Sequence, residues 1–187
     1  MTTTATDSET EAATNPKARI SAEGVYGEIV NFLIDEYTLL DHDQFHEWLE
    51  LVTDDIEYKL PRRETRYRRD GRGFDENQSD FNDSKMTLGL RVRRNSDVST
   101  ALDRDPAPRI RRFVSNVVVH EGDAENEYAV NSAFLLLRSR FRSSEMDMLS
   151  GERVDVIRRT PDGLRLARRT IYLDQSGLGS VFSSVFV

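Results

Sequence analysis

The chain has 187 residues, 37% of them hydrophobic and 32% charged, with a formal net charge of -7 at pH 7 and no cysteine. That length suffices for one domain burying about two-thirds of its unfolded surface, and the absence of Cys excludes disulfides, thiolate nucleophiles, sulfur-ligated zinc and any iron–sulfur cluster held by this chain alone. The acidity argues against a general nucleic-acid binder, and with no apolar leader near Met1 and no run approaching the ~18 apolar residues of a membrane span, a cytosolic protein is expected.

Residues 1–17 (MTTTATDSETEAATNPK) are small and polar and read as a disordered tail ahead of a single domain over 18–187. From Ile20 to Leu40, the residues Val25, Ile29, Phe32, Leu33 and Leu40 fall near helical spacing, with Ser21 as the expected N-cap, which predicts an amphipathic helix of about five turns. Asp41 with Gln44 three residues on reads as the capping box of a second helix, carried by Phe45, Trp48, Leu49 and Val52 and stopped by Thr53-Asp54-Asp55. Ile56 to Leu60 then alternates like a half-buried strand that Pro61 ends. Two helices feeding a strand predict an α+β domain.

Residues Arg62 to Ser84 are polar and Arg-rich and read as a loop; Asn82 or Asp83 is expected to cap a short helix running to about Arg94. Asn95 to Pro108 reads as another loop, punctuated by Pro106 and Pro108. Four long strands follow, Arg109 to His120, Glu127 to Arg142, Leu149 to Arg159 and Leu164 to Gln175, with turn chemistry at Glu121-Gly122-Asp123 and Pro161-Asp162-Gly163. They predict an antiparallel meander. Sixteen extended residues span roughly 50 Å, whereas a compact domain of this size is about 40 Å across, so the sheet must curl around the helices as a cone-like half barrel.

Within Glu127 to Arg142, parity sends Leu135, Leu137, Ser139 and Phe141 to one face and Arg138, Arg140 and Arg142 to the other. Of the 26 basic residues 23 are Arg, which suits two-point pairing with carboxylates. This Arg face reads either as a solvated, ion-paired surface or as a subunit interface. Ser115-Asn116 has no Gly-flanked elbow and reads as hydrogen bonding buried across the sheet, and Gly177-Leu178-Gly179 reads as a bend before a final strand. His42 and His46, with Asp41, Asp43 and Glu47 nearby, could be drawn as a metal site, but such pairs are common at exposed helix starts. His120 reads as a turn residue.

Three stretches, in this order and spacing, carry a resemblance. They are Leu39-Leu40-Asp41 through Phe45, Trp48-Leu49 and Asp54-Asp55-Ile56-Glu57-Tyr58 to Pro61-Arg62; Arg109 to Val119 with Arg111-Arg112-Phe113-Val114-Ser115-Asn116-Val117; and Gly163 to Gln175. Over about Ile29 to Phe186 the chain resembles the small (β) subunit of bacterial aromatic-ring-hydroxylating dioxygenases, the Rieske non-haem iron oxygenases. The resemblance implies an NTF2-like α+β fold, similar to nuclear transport factor 2 and scytalone dehydratase, with a strongly curved mixed sheet wrapped around N-terminal helices. It implies an α3β3 hexamer with a trimer of small subunits, no catalytic residue, cofactor or metal in this chain, and a large partner. That partner carries the Rieske [2Fe-2S] cluster and mononuclear Fe(II), and takes electrons from a ferredoxin or reductase.

Arg62, Arg66, Arg138, Arg140, Arg168, Asp174 and Gln175 are the candidate subunit contacts. The polar stretch Asn95-Ser96-Asp97-Val98-Ser99-Thr100 and the serines before Phe186 depart from the family pattern and bear on the substrate class. Because related folds include acid/base enzymes, a dehydratase or isomerase using Asp55, Tyr58, His42 and His46 is the main alternative. A nucleic-acid module on Arg62 to Arg72, with Tyr67 and Phe74 for stacking, is opposed by the net charge.

Overall fold

A computed structural model describes residues 24–65, 67, 69, 73–96, 108–140, 144–176 and 185–187. The expected tail over 1–17 and the Gly177-Leu178-Gly179 bend lie outside the described residues. Helix α1 spans Val25–Asp41 and buries Ile29, Phe32, Leu33, Glu36, Tyr37 and Leu40, one stripe at helical spacing that includes a carboxylate. It ends in a Schellman arrangement: Gln44 N–H reaches Leu39 O at 2.9 Å and Asp43 N–H reaches Leu40 O at 3.4 Å, with Asp43 left-handed at φ 57°. Asp41 is therefore the last residue of the first helix, not the cap of the second. The second helix, α2, is only Phe45–Leu49, and no side chain caps it.

The segment expected to stop a helix instead begins a strand, β1 (Val52–Arg63), whose outward Asp54 and Asp55 hide its start from a hydrophobicity pattern. It also runs through Pro61, where the pairing with β2 (Phe74–Asp83) shifts register on both sides of the proline. β2 lies in the stretch expected to be a loop; its polar sequence FDENQSDFND suits a sheet edge. Helix α3 (Lys85–Ser96) follows, with Ser84 and Thr87 exchanging hydrogen bonds at its start and Leu88, Val92 and Asn95 buried.

The meander is as expected, with β3 (Arg109–Glu121), β4 (Glu127–Ser139), β5 (Asp147–Thr160) and β6 (Gly163–Leu173) pairing antiparallel in sequence. The six strands form one sheet in the order β2-β1-β6-β5-β4-β3, mixed because β1 runs parallel to β6. The strand expected from Leu164 to Gln175 ends at Leu173 and lies inside the sheet, where both its edges are used. Val185 to Val187 pair with no strand, so the expected final strand is absent there.

Curvature comes from extra residues in the ladder. Between the pairs Ser115↔Ala133 and Val118↔Asn131, β3 advances one residue more than β4, and Asn116 takes φ 53°. Ser115 and Asn116 are exposed, so this dipeptide bends the sheet and does not form a buried cross-strand contact. A second shift, between Val156 and Ile157, bends the β5–β6 pair. The helices close the concave face, and the core gathers Trp48, Leu33, Leu40, Tyr58, Leu88, Leu136 and Ile171 between helices and sheet. Among the described residues no helix is long and apolar enough to cross a membrane.

Gly151, at the middle of β5, marks the tightest point: a Cβ there would collide with the Tyr172 carbonyl oxygen and lie 3.0 Å from the Phe134 ring and 3.1 Å from Leu173 Cα. Two of those three atoms are backbone, which cannot swing aside. Gly151→Val is expected to lower stability by about 3 kcal/mol, at the upper end of overpacking penalties, read as a shift of the urea unfolding midpoint.

Candidate functional site

Helix α1 lies over the concave face of the sheet and encloses an interior space with it. Here that space holds a charged cluster. Glu36, on the buried stripe of α1, is 1% exposed and receives both ends of the Arg169 guanidinium, Nη1 to Oε1 at 2.6 Å and Nη2 to Oε2 at 2.9 Å. Trp48 Nε1 donates to the same carboxylate at 3.1 Å, and Arg153 Nη1 lies 3.5 Å from it. Asp155, opposite Arg169 in the antiparallel ladder, accepts from Arg169 Nε at 2.9 Å and Nη2 at 2.7 Å. The fifth donor, on Nη1, meets the main-chain oxygen of Val187 at 2.9 Å. All five N–H groups of Arg169 are therefore used, and two arginines balance two carboxylates.

Residues 185–187 fill what remains of the cavity. Their main-chain oxygens are taken in turn by Arg91 Nη2 (Val185, 3.1 Å), Arg112 Nε (Phe186, 3.0 Å) and Arg169 (Val187). Tyr58 Oη both donates to Val187 O at 2.7 Å and accepts from Val187 N–H at 3.0 Å. The Phe186 ring lies 4.5 Å from Trp48 and 5.8 Å from Phe45, with the Arg91 guanidinium 4.7 Å from its centre. Arg153 sits 4.5 Å from the Tyr37 ring centre and donates from Nε to Ser132 at 3.3 Å.

Electrostatics follow the geometry. Burial alone would raise the Glu36 carboxyl, but the charges of Arg169 and Arg153 and the hydrogen bonds from Arg169 and Trp48 outweigh it and hold the group below its ordinary 4.5. Burial works against the Arg169 cation, yet Asp155 and Glu36 raise its pKa well above the ordinary value. Burial pushes the Tyr37 hydroxyl up to about 12 and raises that of Tyr58 as well. Both phenols stay protonated at neutral pH.

The four residues of the acid/base alternative do not converge. Tyr58 is buried against Val187, whereas Asp55 is exposed at the start of β1 and accepts from Arg158 at 2.9 and 3.0 Å. His42 is exposed, its Nδ1 2.7 Å from Thr38 O, in a groove of about 270 Å³ between α1 and β3; His46 is also exposed. Among the described residues no three His, Asp or Glu side chains are placed to share a metal ion.

The candidate subunit contacts are dispersed. Arg62 spans the β1–β2 edge, donating to Asp80 at 3.2 Å and Gln78 at 3.1 Å, and Arg168 points outward with Nε 3.5 Å from Glu57. Arg66 and Arg142 lie outside the described residues, and Arg140 is half-buried just past β4. Asp174 and Gln175 close a loop within the chain, accepting from Ser150 Oγ at 2.8 Å and Ser150 N–H at 3.3 Å.

Arg138 corrects the expectation of an Arg-lined outer face. From Leu135 to Arg138 the parity split is as read, but it is the Val130, Ser132, Phe134, Leu136 and Arg138 side that faces the core, and Arg138 is 2% exposed with Nη1 3.7 Å from Asp147. Sequence reading missed Glu36, Arg153, Asp155 and Arg169. Their signal is a charge at a core position of an otherwise apolar pattern, since Leu149, Gly151, Arg153, Asp155 and Ile157 share one buried face of β5.

Replacing Glu36 by Gln leaves two buried arginines facing Asp155 alone. Breaking a buried pair by neutralising one partner costs about 3–5 kcal/mol, so the urea midpoint of the variant is expected to fall accordingly at pH 7. Because the Glu36 pKa is lowered in the folded state, its stabilisation is complete above the ordinary 4.5 and fades as pH falls through the lower folded value. Native stability should decline below about pH 4.5, and this part of the decline should be absent from Glu36→Gln. Equal midpoints for the two proteins from pH 7 to pH 3 would contradict it.

The comparisons with known proteins point one way. The family model described as "Ring hydroxylating beta subunit" matches residues 35–180. The chain is 39% identical over 155 residues to the chlorobenzene dioxygenase subunit beta of Cupriavidus sp. (strain PS12), covering 80% of this chain and 81% of that one. Among solved structures, a chain of naphthalene 1,2-dioxygenase with indole bound in its active site superposes with a TM-score of 0.75 at 24% identity, covering 86% and 84% of the two chains. A putative scytalone dehydratase from Novosphingobium aromaticivorans DSM 12444 shares the fold at a TM-score of 0.59 and 14% identity, covering 80% and 84%. With its NTF2-like cone, its filled interior and a family match over most of its length, this chain belongs to the ring-hydroxylating β-subunit family.

Proposed function

We propose that this chain is the assembly subunit of an aromatic-ring-hydroxylating dioxygenase and performs none of the chemistry itself. One observation carries the reading: the cavity that an acid/base enzyme of this fold would keep open is filled by residues 185–187 and by an ion cluster whose central arginine has every donor engaged. A filled interior leaves the outer surface as the part of the molecule that works.

In this reading three copies form a base that holds three large subunits in register as α3β3, in the cytoplasm. The large subunit supplies the Rieske [2Fe-2S] cluster and the mononuclear Fe(II), and a ferredoxin or reductase reaches the chain only through the complex. The outward guanidinium groups of Arg62 and Arg168, with Arg66 and Arg140, are proposed contacts, and the exposed Asp174 is their acidic counterpart. Arg138 is left out, since its burial commits it to this chain's own core. The aromatic substrate is set by the partner that lines the active site.

Co-expression with a Rieske oxygenase large subunit tests the proposal. The two chains should co-purify as a hexamer containing three copies of the 21.5 kDa chain, with oxygen-dependent ring dihydroxylation by the complex and none by this chain alone. Failure to associate with any such partner, or dehydratase turnover by the isolated chain, would overturn it.

A further inference from the structure

Residues 185–187 are held as a ligand is held. They join no strand, yet Val185, Phe186 and Val187 are 4%, 0% and 2% exposed. Strand pairing would satisfy a backbone segment through other backbone groups. Here each main-chain oxygen instead meets an arginine from a different element: Arg91 of α3, Arg112 of β3 and Arg169 of β6. The Val187 N–H goes to a tyrosine hydroxyl on β1. Side chains reading successive backbone groups of one segment, with an aromatic slot between Trp48 and Phe45 for the middle residue, are the parts of a peptide site.

The charge arrangement says what kind of ligand fits. Arg91 is paired with Asp83 at 2.6 Å, Arg112 with Asp41 at 2.7 Å, and Arg169 with both Asp155 and Glu36. Each arginine that grips the segment already has its carboxylate and gives the segment a further N–H. Each gripping arginine thus has its charge met within the chain while it still donates to the segment, which suits the main-chain oxygens of a peptide.

We propose that the interior of the cone is a binding site for an apolar tripeptide with a central phenylalanine, occupied in cis by residues 185–187. The segment is then a separable ligand of the fold. Its removal opens a site that the same sequence can refill from solution.

The test uses a chain cut before Val185 and the peptide N-acetyl-Val-Phe-Val-amide. The cut chain is expected to melt at lower temperature than the full chain, and the peptide to restore the melting temperature saturably. N-acetyl-Val-Ala-Val-amide should need at least tenfold higher concentration for the same effect, and benzoate should have none. Full stability of the cut chain without peptide would overturn the proposal, as would equal rescue by the alanine peptide or by benzoate.

Should the cut chain fail to fold, full-length Phe186→Ala carries the test. Its loosened segment competes less well, so a fluorescent form of the phenylalanine peptide should bind it at least tenfold more tightly than it binds the native chain. Equal affinities, or binding to neither, would overturn the proposal.

Discussion

The guanidinium of Arg169 is the constraint on which the rest depends. A cation with no exposure costs several kcal/mol to desolvate unless its charge and all its donors are met, so the fold is obliged to bring partners to it. It does so from three directions. Asp155 fixes the register of β5 against β6, Glu36 fixes how far along the sheet α1 can sit, and Val187 brings in the segment that fills the cavity. Trp48 on α2 donates to the same carboxylate, so the short second helix is tied to the first through one side chain. A slip of any element by one residue would leave a buried charge unmatched, a stricter demand than apolar packing makes on its own.

That cluster is also the feature on which the proposed non-catalytic role rests. An acid/base site needs a group with a mid-range pKa, room for a substrate and access from solvent. Glu36 is held ionised, the Tyr37 and Tyr58 hydroxyls are held protonated, and the space between them is occupied by Phe186 and Val187. The same sheet and helices that could frame a reaction here enclose ion pairs whose partners are all internal to the chain. This interior geometry supports the proposed assembly role, and the family match gives the complex in which it would act.

Much of this was legible in the sequence where a single period dominates. The strands from Arg109 onward alternate over long runs, and their length against the size of a domain was enough to demand a curled sheet. Elsewhere, tertiary context overrode local signals. Asp43 takes the left-handed position usually given to glycine, so the end of α1 at Asp41 looked like the start of a new helix. Asp54 and Asp55 face solvent from a strand, and β2 is an edge whose polarity imitates a loop. The charged core was hidden for another reason. A buried arginine and an exposed one look alike until their partners are known, and Glu36, Asp155 and Arg169 are brought together only by the fold.

The claim that this ion cluster organises the fold is tested most directly by a double-mutant cycle on Glu36 and Arg169, using Met at each position and urea unfolding at pH 7. Each single variant leaves an unbalanced buried charge, whereas the double variant leaves Arg153 and Asp155 balanced one to one. The account predicts a coupling energy of about 2–3 kcal/mol, with the double variant much less destabilised than the sum of the singles. Additive losses, with coupling within about 0.5 kcal/mol of zero, would show that the two residues do not act as a unit and would contradict it.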